Sequence, residues 1–209
     1  EENSQWQFVH SEGDNKWAVG TAVNHTEEGT QSLYVSNDYG VSNAYTNTST
    51  STSWAYRDID FGTNAEYVLS FDWNAKGESC CDYLKIYVGT PVAVSSSSYD
   101  APAGATLVGT YNNQDNWQHV DATITSEHQG VQRLYLLWRN DYSVGTNPPA
   151  AIDNIEITGT DCGTPLTAVV SEVTGQTATL TWTPAGEESS WDIYYTNVST
   201  DIPNAETEP

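Results

Sequence analysis

Apolar and polar residues alternate along most of this chain, and turn-forming residues separate the alternating stretches. Alternation places successive side chains on opposite faces of a β-strand, and no stretch shows the period of an amphipathic helix. The pattern predicts strands near residues 32–36, 54–61, 66–73, 82–88, 106–111, 117–124, 131–138 and 151–157, with a loop at 47–53. Roughly eight or nine strands in a segment of this length suit one two-sheet sandwich or jelly roll.

A second, shorter segment follows a stretch rich in Gly, Thr and Pro. That stretch predicts a linker at 159–164 between a domain of residues 1–158 and a segment of residues 165–209. The segment has two or three strand-like stretches, with Trp182 expected to face inward, and it contains no Lys or Arg. Because three strands cannot close a sandwich, we interpret the segment as the first part of a truncated domain.

Charge and composition exclude several classes of function. The 209 residues include 6 Lys and Arg against 28 Asp and Glu, a net charge of −22. So few bases cannot attract phosphate backbones or anionic lipid, and no apolar run approaches the ~20 residues of a membrane span. We therefore expect neither nucleic-acid binding nor membrane insertion. The uncharged polar, Tyr- and Trp-rich character favours a secreted or cell-surface β-protein.

The start of the sequence and the cysteines add two expectations. The chain has no Met and no basic stretch before an apolar one, so we interpret it as a processed or excised piece of a longer protein. Its 3 cysteines, the adjacent Cys80 and Cys81 and the distant Cys162, cannot form a complete disulfide framework, because an odd count leaves one thiol over. On a strand, the adjacent pair would place one side chain inward and one outward.

No enzyme class is favoured by the motifs. The sequence lacks a GxSxG elbow, an HExxH helix, a GxGxxG turn and a P-loop. Its four histidines are spread along the chain, with no expected neighbourhood shared with Cys or Ser. A carboxylate pair for glycoside hydrolysis stays open, because carboxylates are abundant. We expect a non-catalytic protein.

Several motifs taken together resemble a known family of bacterial surface domains. They are Gly29 with Ser32–Asp38, Leu69–Trp73, Gly77-Glu78, Asp82–Leu84, Trp138–Asp141 and Pro148–Ile155. In this combination, residues 6–158 resemble the choice-of-anchor J domain, which is similar to the cleaved-adhesin and MAM domains. The resemblance implies a jelly roll of the galactose-binding type. The fold expected for residues 1–158 is thus an all-β, two-sheet jelly-roll sandwich.

The second segment resembles a different family. The pattern of Leu166, Trp182 and Tyr195 is similar to the opening strands of a fibronectin type III domain. The chain departs from that family by stopping before the later strands, including the strand of the usual tyrosine corner. The resemblance implies an incomplete immunoglobulin-like sandwich.

A structural calcium ion is the cofactor that the sequence favours. Calcium takes six to eight oxygen ligands, and short acidic loops with Gly and Asn supply them, as around Glu12 and Asp14. In jelly rolls of the galactose-binding type, a metal often joins an early loop to an acid of the last strand, here Asp153. The loop after residue 35 adds Asn37 or Asp38. The alternative is that these groups are ordinary solvated loop residues, and a weaker candidate is the acidic loop 72–82 with Glu78.

Two aromatic and polar stretches are candidates for binding sugar. Pyranose rings stack on aromatic faces, and their hydroxyls need amides and carboxylates nearby. The first stretch contributes Tyr111, Asn113 and Trp117, and the second contributes Arg139 and Asp141. The alternative is that Trp117 and Trp138 are core residues, as strand tryptophans usually are.

Two functions follow from these observations and stay open. The first is an extracellular binding or adhesion module of a larger protein, which recognises a glycan or a host or matrix surface protein. The second is a structural spacer or filament (fimbria-like) subunit, in which copies of the chain pair through strands. An exposed aromatic cluster favours the first, and an unpaired apolar strand edge favours the second.

Overall fold

The described part of the chain is built from β-strands. The computed structural model describes residues 5–27, 29–62, 66–125, 128–160, 167–184, 191 and 193. The strands are β1 (Gln7–His10), β2 (Lys16–Gly20), β3 (Ser32–Ser36), β4 (Ser51–Asp60), β5 (Glu66–Ala75), β6 (Tyr83–Gly89), β7 (Ala105–Tyr111), β8 (Gln114–Thr125), β9 (Val131–Asn140), β10 (Ala151–Thr160), β11 (Thr167–Ser171) and β12 (Thr179–Thr183). In these ranges no helix has the length and apolar character needed to span a bilayer.

Two compact units divide the chain after Thr160. In the first unit, one five-stranded antiparallel sheet has the order β1-β4-β9-β6-β7, and the other has the order β2-β3-β10-β5-β8. This all-β arrangement of two facing sheets is the jelly-roll sandwich that the sequence predicts. Strand β10 continues to Thr160, so the unit boundary falls inside the predicted linker.

The core between the sheets follows from strand alternation. Alternate residues of β5 point inward, with Leu69 and Phe71 fully buried and Trp73 nearly so. From the facing sheet, Leu136 and Trp138 of β9 complete the same cluster. The prediction of a buried Trp73 is confirmed. Burying large apolar side chains provides most of the driving force for such a fold, at ~1.5–3 kcal/mol each.

A second apolar layer covers the outer face of the first sheet. The side chains involved are Trp54, Tyr83, Tyr87, Tyr135 and Leu137, all buried beneath the β6–β7 connection, residues 90–104. The Trp54 indole donates a hydrogen bond to the Ser98 carbonyl at 3.1 Å. The Tyr135 hydroxyl donates to the Thr90 carbonyl at 2.9 Å and accepts from the Val92 amide at 2.8 Å. We call this surface the covered face.

Three elements differ from the prediction, and buried polar side chains explain the one at residues 51–53. Strands β1 and β2 were not predicted, and residues 51–53 lie in β4 rather than in a loop. Ser51 and Asn140 are buried and bind each other, and Asn15 Nδ2 donates to both, at 3.1 and 3.0 Å. These polar side chains are satisfied inside the protein, so hydrophobicity does not mark them as inward-facing.

The second unit contributes a two-stranded antiparallel sheet, β11 and β12, in the described range. The Trp182 side chain contacts Trp191 edge-on, with ring centroids 5.3 Å apart. The fibronectin type III resemblance stays a prediction, since much of this unit, including Leu166, Tyr195 and Cys162, lies outside the described residues.

The cysteine pair differs from the expected strand geometry. Cys80 and Cys81 lie in the connection between β5 and β6, and a disulfide joins them. Cys80 is exposed and Cys81 is partly exposed, so the expectation of one buried and one exposed side chain on a strand is wrong. The reason is that this acidic, Gly-containing connection bends rather than extends.

Candidate functional site

Polar side chains gather on the outer face of the second sheet. Ser70 and Asp72 share this face of β5 because residues two apart on a strand point the same way. On the neighbouring strand β8, Asp121 pairs with Ser70 and His119 pairs with Asp72. Unlike the covered face, this surface keeps its central groups accessible, since the His119 and Asp121 side chains are 57% and 63% exposed. We call it the open face.

Asp72 is the centre of the open face. Its Oδ1 atom lies 2.7 Å from His119 Nδ1, and its Oδ2 atom lies 3.0 Å from His25 Nδ1. Asn154 Nδ2 donates to the same Oδ2 at 2.6 Å. Burial raises the pKa of Asp72, but the hydrogen bonds from Asn154, His25 and His119 outweigh it, and the net effect lowers that pKa. Asp72 is therefore a well-partnered carboxylate.

The connection between β2 and β3 brings His25 onto the open face. Asp153 Oδ2 accepts hydrogen bonds from the backbone amides of His25 and Thr26, at 2.8 and 3.1 Å. Thr26 Oγ1 donates to Asn154 Oδ1 at 2.5 Å. The ladder between β10 and β5 is irregular after Asp153, and Asn154 adopts a φ of 51°. A β-bulge at this point turns the Asn154 side chain toward Asp72.

An aromatic stack lies beside the polar cluster. The His25 ring packs on the Trp117 ring with centroids 5.2 Å apart and planes 14° from parallel. The His25 side chain is 48% exposed, and Trp117 is partly exposed at the edge strand β8. The open face therefore combines a flat aromatic surface with imidazole, carboxylate and hydroxyl groups.

His119 connects the buried carboxylate with the surface. Its hydrogen bond to Asp72 has the largest effect and raises the pKa of His119, burial opposes this, and the nearby Asp121 carboxylate adds a further rise. His119 Nε2 lies 3.2 Å from Asp121 Oδ1 and 3.4 Å from Ser70 Oγ. The expectation that the histidines share no neighbourhood with serine is wrong. The pairing of β5 with β8 brings His119 next to Ser70 and Asp72, although these residues precede it by 49 and 47 positions in the sequence.

Ser70, His119 and Asp72 have the order of contacts found in a nucleophilic triad, but the surroundings do not suit catalysis. An oxyanion hole needs free backbone amides near the nucleophile. Ser70 lies within β5, between β8 and β10, so the backbone amides of β5 around it belong to the ladders with these two strands. His119 Nε2 is also shared with Asp121. The arrangement favours binding of a polar ligand over attack on one.

The residues expected to bind calcium are not brought together. Asp153 is engaged by the amides of residues 25 and 26, and Asn37 Nδ2 donates to Thr46 Oγ1 at 3.1 Å. Glu12 and Asp14 are exposed in the β1–β2 turn. Hydrogen bonds from Ser36 and Ser42 lower the pKa of Asp38 to about 2, so this carboxylate has partners in its own turn.

A different set of carboxylates converges near the predicted weaker loop. In the described residues, Glu78, Asp82 and Asp141 place carboxylate oxygens within 4.8 Å of one another. Asp82 is fully buried and accepts hydrogen bonds from the Tyr45 hydroxyl, at 2.5 Å, and the Asp141 amide, at 2.9 Å. Burial, followed by repulsion from Asp82 and Asp141, raises the pKa of Glu78. This donor set is chemically suited to a hard cation.

The five residues expected to bind ligand lie in separate places. Trp117 is on the open face, whereas Tyr111 packs against Phe71 and Trp73 in the core. Asn113 lies in the β7–β8 turn with a φ of 58°. The Arg139 guanidinium lies 3.9 Å from the Tyr99 ring centroid at the covered face, and Asp141 belongs to the acidic cluster.

Sequence reasoning did not identify His25, Asp72, His119, Asp121 or Asn154 as a group. One signal was available: Ser70 with Asp72, and His119 with Asp121, are polar residues two apart on predicted strands. That pattern indicates that each strand presents polar side chains to solvent on one face. Only the antiparallel pairing of β5 with β8 shows that these two sets of side chains lie next to each other.

Comparisons with known proteins find distant structural neighbours only. No protein-family model matches the sequence, and no curated protein matches it. One structural neighbour is the K1 cleaved adhesin domain of Lys-gingipain from Porphyromonas gingivalis, with 13% identity, a TM-score of 0.46, and coverage of 75% of this chain and 92% of that domain. Another is TmCBM61 in complex with beta-1,4-galactotriose, with 11% identity, a TM-score of 0.45, and coverage of 75% and 90%.

A third neighbour is the enzymatically active domain of tailspike protein 4 from bacteriophage CBA120. It shows 13% identity and a TM-score of 0.43, and the match covers 75% of this chain and 20% of that one, so this chain spans about a fifth of the solved tailspike domain. All three likenesses are distant. The proposals below therefore depend on the residues of this chain.

Proposed function

We propose that the first unit is a non-catalytic, extracellular binding module that recognises a neutral glycan on its open face. The observation that carries this proposal is the His25–Trp117 stack beside the Asp72–His119–Asp121 cluster. Apolar faces of pyranose rings stack on aromatic side chains, and imidazole and carboxylate groups bind pairs of hydroxyls. The open face offers both kinds of contact within one short stretch of sheet.

Charge supports a neutral ligand over an acidic one. The open face carries Asp72 and Asp121, with Asp153 at its border, and the whole chain has a net charge of −22. A sulfated or uronic-acid glycan would meet an unfavourable potential at the open face, where these carboxylates lie. A neutral hydroxyl-rich ligand, whether free or displayed on a host or matrix surface protein, avoids this cost.

An extracellular setting agrees with the cysteine chemistry. Disulfides such as Cys80–Cys81 form and persist in oxidising compartments, whereas cytosolic thiols are kept reduced. We therefore retain secretion or display at the cell surface as part of the proposal.

Binding to glycan is tested with an array of neutral and acidic glycans and the full chain. Trp117→Ala should remove the stacking surface and lower affinity roughly tenfold or more, and Asp121→Asn should lower it less. Tyr99→Ala, at the covered face, is the matched aromatic control and should leave binding unchanged. Absence of binding to every neutral glycan, or equal losses in Trp117→Ala and Tyr99→Ala, would contradict the proposal.

Calcium stays part of the proposal, with the acidic cluster of Glu78, Asp82 and Asp141 as its place. A cation that binds only the folded chain at a hundredfold excess over its Kd adds about 2.7 kcal/mol to the free energy of unfolding. Millimolar Ca²⁺ should therefore raise the melting temperature relative to EGTA, and Asp141→Asn should remove the difference. Asp153→Ala tests the originally predicted ligand set, and an unchanged melt of the unsubstituted chain would reject calcium.

A structural spacer or filament subunit is the second candidate function. The observation that favours it is the exposure of Val169, Val170 and Leu180 on the sheet of β11 and β12. Exposed apolar strands are templates for pairing between chains. Sedimentation over a range of concentrations distinguishes the candidates, because a strand-paired assembly should grow with concentration and a glycan-binding monomer should not.

A further inference from the structure

One side of the first unit is only partly closed in both sheets. In the first sheet, β1 pairs with residues 53–56 of β4, so β4 has no described neighbour on that edge beyond Tyr56. In the second sheet, β3 pairs with β10 only at Ala151 and Ile152. Both gaps border the same cleft between the sheets, which has a volume of about 520 Å³. Pockets of this size bury small organic ligands.

The walls of this cleft are mixed: eight of the lining side chains are apolar, and the polar ones are Gln31, Ser32, Arg57, Asp153, Asn154 and Glu156. The apolar lining residues come from both sheets and from the segment before β1: Trp6, Val19, Leu33, Ile59, Leu134, Ile152, Ile155 and Ile157. Ile155 and Ile157 are only partly buried, although they belong to the edge of the main core. The cleft therefore exposes apolar surface that a hydrocarbon chain would cover.

Arg57 is the positively charged residue in the cleft lining. It lies between Ala55 and Ile59 on the inward-facing side of β4, and it pairs with the buried Leu134 of β9. Arg57 Nε is buried and has no hydrogen-bond partner. A buried guanidinium donor without an acceptor is unfavourable, and its planar fork suits a carboxylate.

The other bases of the chain have partners, and all six bases lie in described residues. Lys76 pairs with Asp115 and Arg133 with Asp58, while Lys16, Lys85 and Arg139 lie over tyrosine rings. Arg139 Nε is also buried without a hydrogen-bond partner, but its guanidinium has the Tyr99 ring as a neighbour. Two acids also line the cleft: Asp153 accepts the amides of residues 25 and 26, and the exposed Glu156 lies 3.4 Å from the Thr158 hydroxyl. Among the residues that the structure describes, no Asp or Glu forms an ion pair with Arg57.

We propose that this cleft binds an amphipathic monocarboxylate, with the hydrocarbon chain between the sheets and the carboxylate on Arg57. The apolar walls match the chain, and the unpartnered guanidinium matches the head group through charge-assisted, bidentate hydrogen bonds. This site adjoins the glycan-binding face, because Asp153 and Asn154 border both, whereas Trp6, Arg57 and Ile157 belong to the cleft alone.

Solution NMR on the full chain tests the proposal with octanoate and with 1-octanol, its neutral analogue of equal length. Octanoate should shift the side-chain Nε–H resonance of Arg57, which Arg57→Lys assigns by removing it, and 1-octanol should not. Calorimetry should show that Arg57→Gln weakens octanoate binding roughly tenfold or more while leaving 1-octanol within about twofold. Lys76→Gln, which also removes one positive charge, is the matched control and should change neither affinity.

A second variant addresses the walls of the cleft. Ile157→Asp places a carboxylate beside the expected hydrocarbon chain and should abolish octanoate binding, while near-ultraviolet circular dichroism checks that it folds. Failure of octanoate to shift the Arg57 resonance at millimolar concentration would overturn the proposal. Equal weakening by Arg57→Gln and Lys76→Gln would overturn it too, because binding would then follow net charge rather than the cleft.

Discussion

The two outer faces of the first unit use their side chains in opposite ways. The covered face is rich in Trp and Tyr, yet Trp54, Tyr87 and Tyr135 are almost completely buried under residues 90–104. The open face has one tryptophan, and its His25, His119 and Asp121 side chains remain accessible. Aromatic density in a sequence therefore does not by itself identify a binding surface, because a long connection can fold over the aromatic residues and make them core.

The largest expected effect is on stability, and it distinguishes Trp54, which lies in the covered face, from Trp117, which lies in the proposed binding surface. Trp54→Ala leaves a cavity under residues 90–104 and removes the hydrogen bond to Ser98, so the free energy of unfolding should fall by about 3–5 kcal/mol. Trp117→Ala removes a partly exposed ring stacked on one imidazole and should cost about 1 kcal/mol. Urea unfolding of both variants measures the difference. Similar losses for the two substitutions would erase the distinction between the faces.

Substitution of Arg133 tests whether this residue holds residues 90–104 over the covered face. Its guanidinium pairs with both carboxylate oxygens of Asp58, donates to the Val92 carbonyl at 3.0 Å and lies 4.3 Å from the Tyr56 ring centroid. Arg133→Ala should destabilise the fold by about 1–3 kcal/mol and speed amide exchange in residues 90–104. Lys85→Ala, which removes a base from the same sheet face, is the control. Unchanged exchange in residues 90–104 would show that the apolar contacts alone hold this connection.

The pH dependence of stability tests the open face. The pKa of His119 is raised above 6.5, so its stabilising contribution is complete below pH 6.5 and is lost as the pH rises through the raised value. The pKa of Asp72 is lowered below 3.8, so its contribution is present above pH 3.8 and is lost as the pH falls through the lowered value. Asp72→Asn should therefore lower the melting temperature most between these limits. If the difference in melting temperature between Asp72→Asn and the unsubstituted chain did not vary with pH, the idea of a charged Asp72–His119 pair would be wrong.

The smallest expected effect concerns the disulfide. A bond between adjacent residues closes no loop of chain, so Cys80→Ser with Cys81→Ser should change the free energy of unfolding by no more than about 0.5 kcal/mol. Thermal melts with and without reductant provide the measurement. The covered face should stay buried, and the open face should stay accessible. A loss of several degrees would mean that the bond orders the neighbouring Glu78 and Asp82.

Particular residues show how far the sequence predicts this fold. The strands β5 and β9 alternate large apolar with polar side chains, and their prediction is confirmed because burial on one face requires that period. Ser51 escaped prediction because its burial depends on Asn15 and Asn140, which lie 36 and 89 residues away. The open face could not be predicted for a similar reason. Asp153 accepts a hydrogen bond from the distant His25 amide, and this contact positions the His25 ring beside Asp72.

The bond between Cys80 and Cys81 also decides how the chain reacts with oxidants. The chain has three cysteines, and two of them are oxidised by each other, which consumes a single two-electron equivalent. While that bond persists, Cys162 has no cysteine partner left within its own chain. An unreduced chain of this sequence would thus offer one equivalent of thiol to an alkylating reagent instead of three, while the thiol of another molecule could still join it by exchange with the Cys80–Cys81 bond.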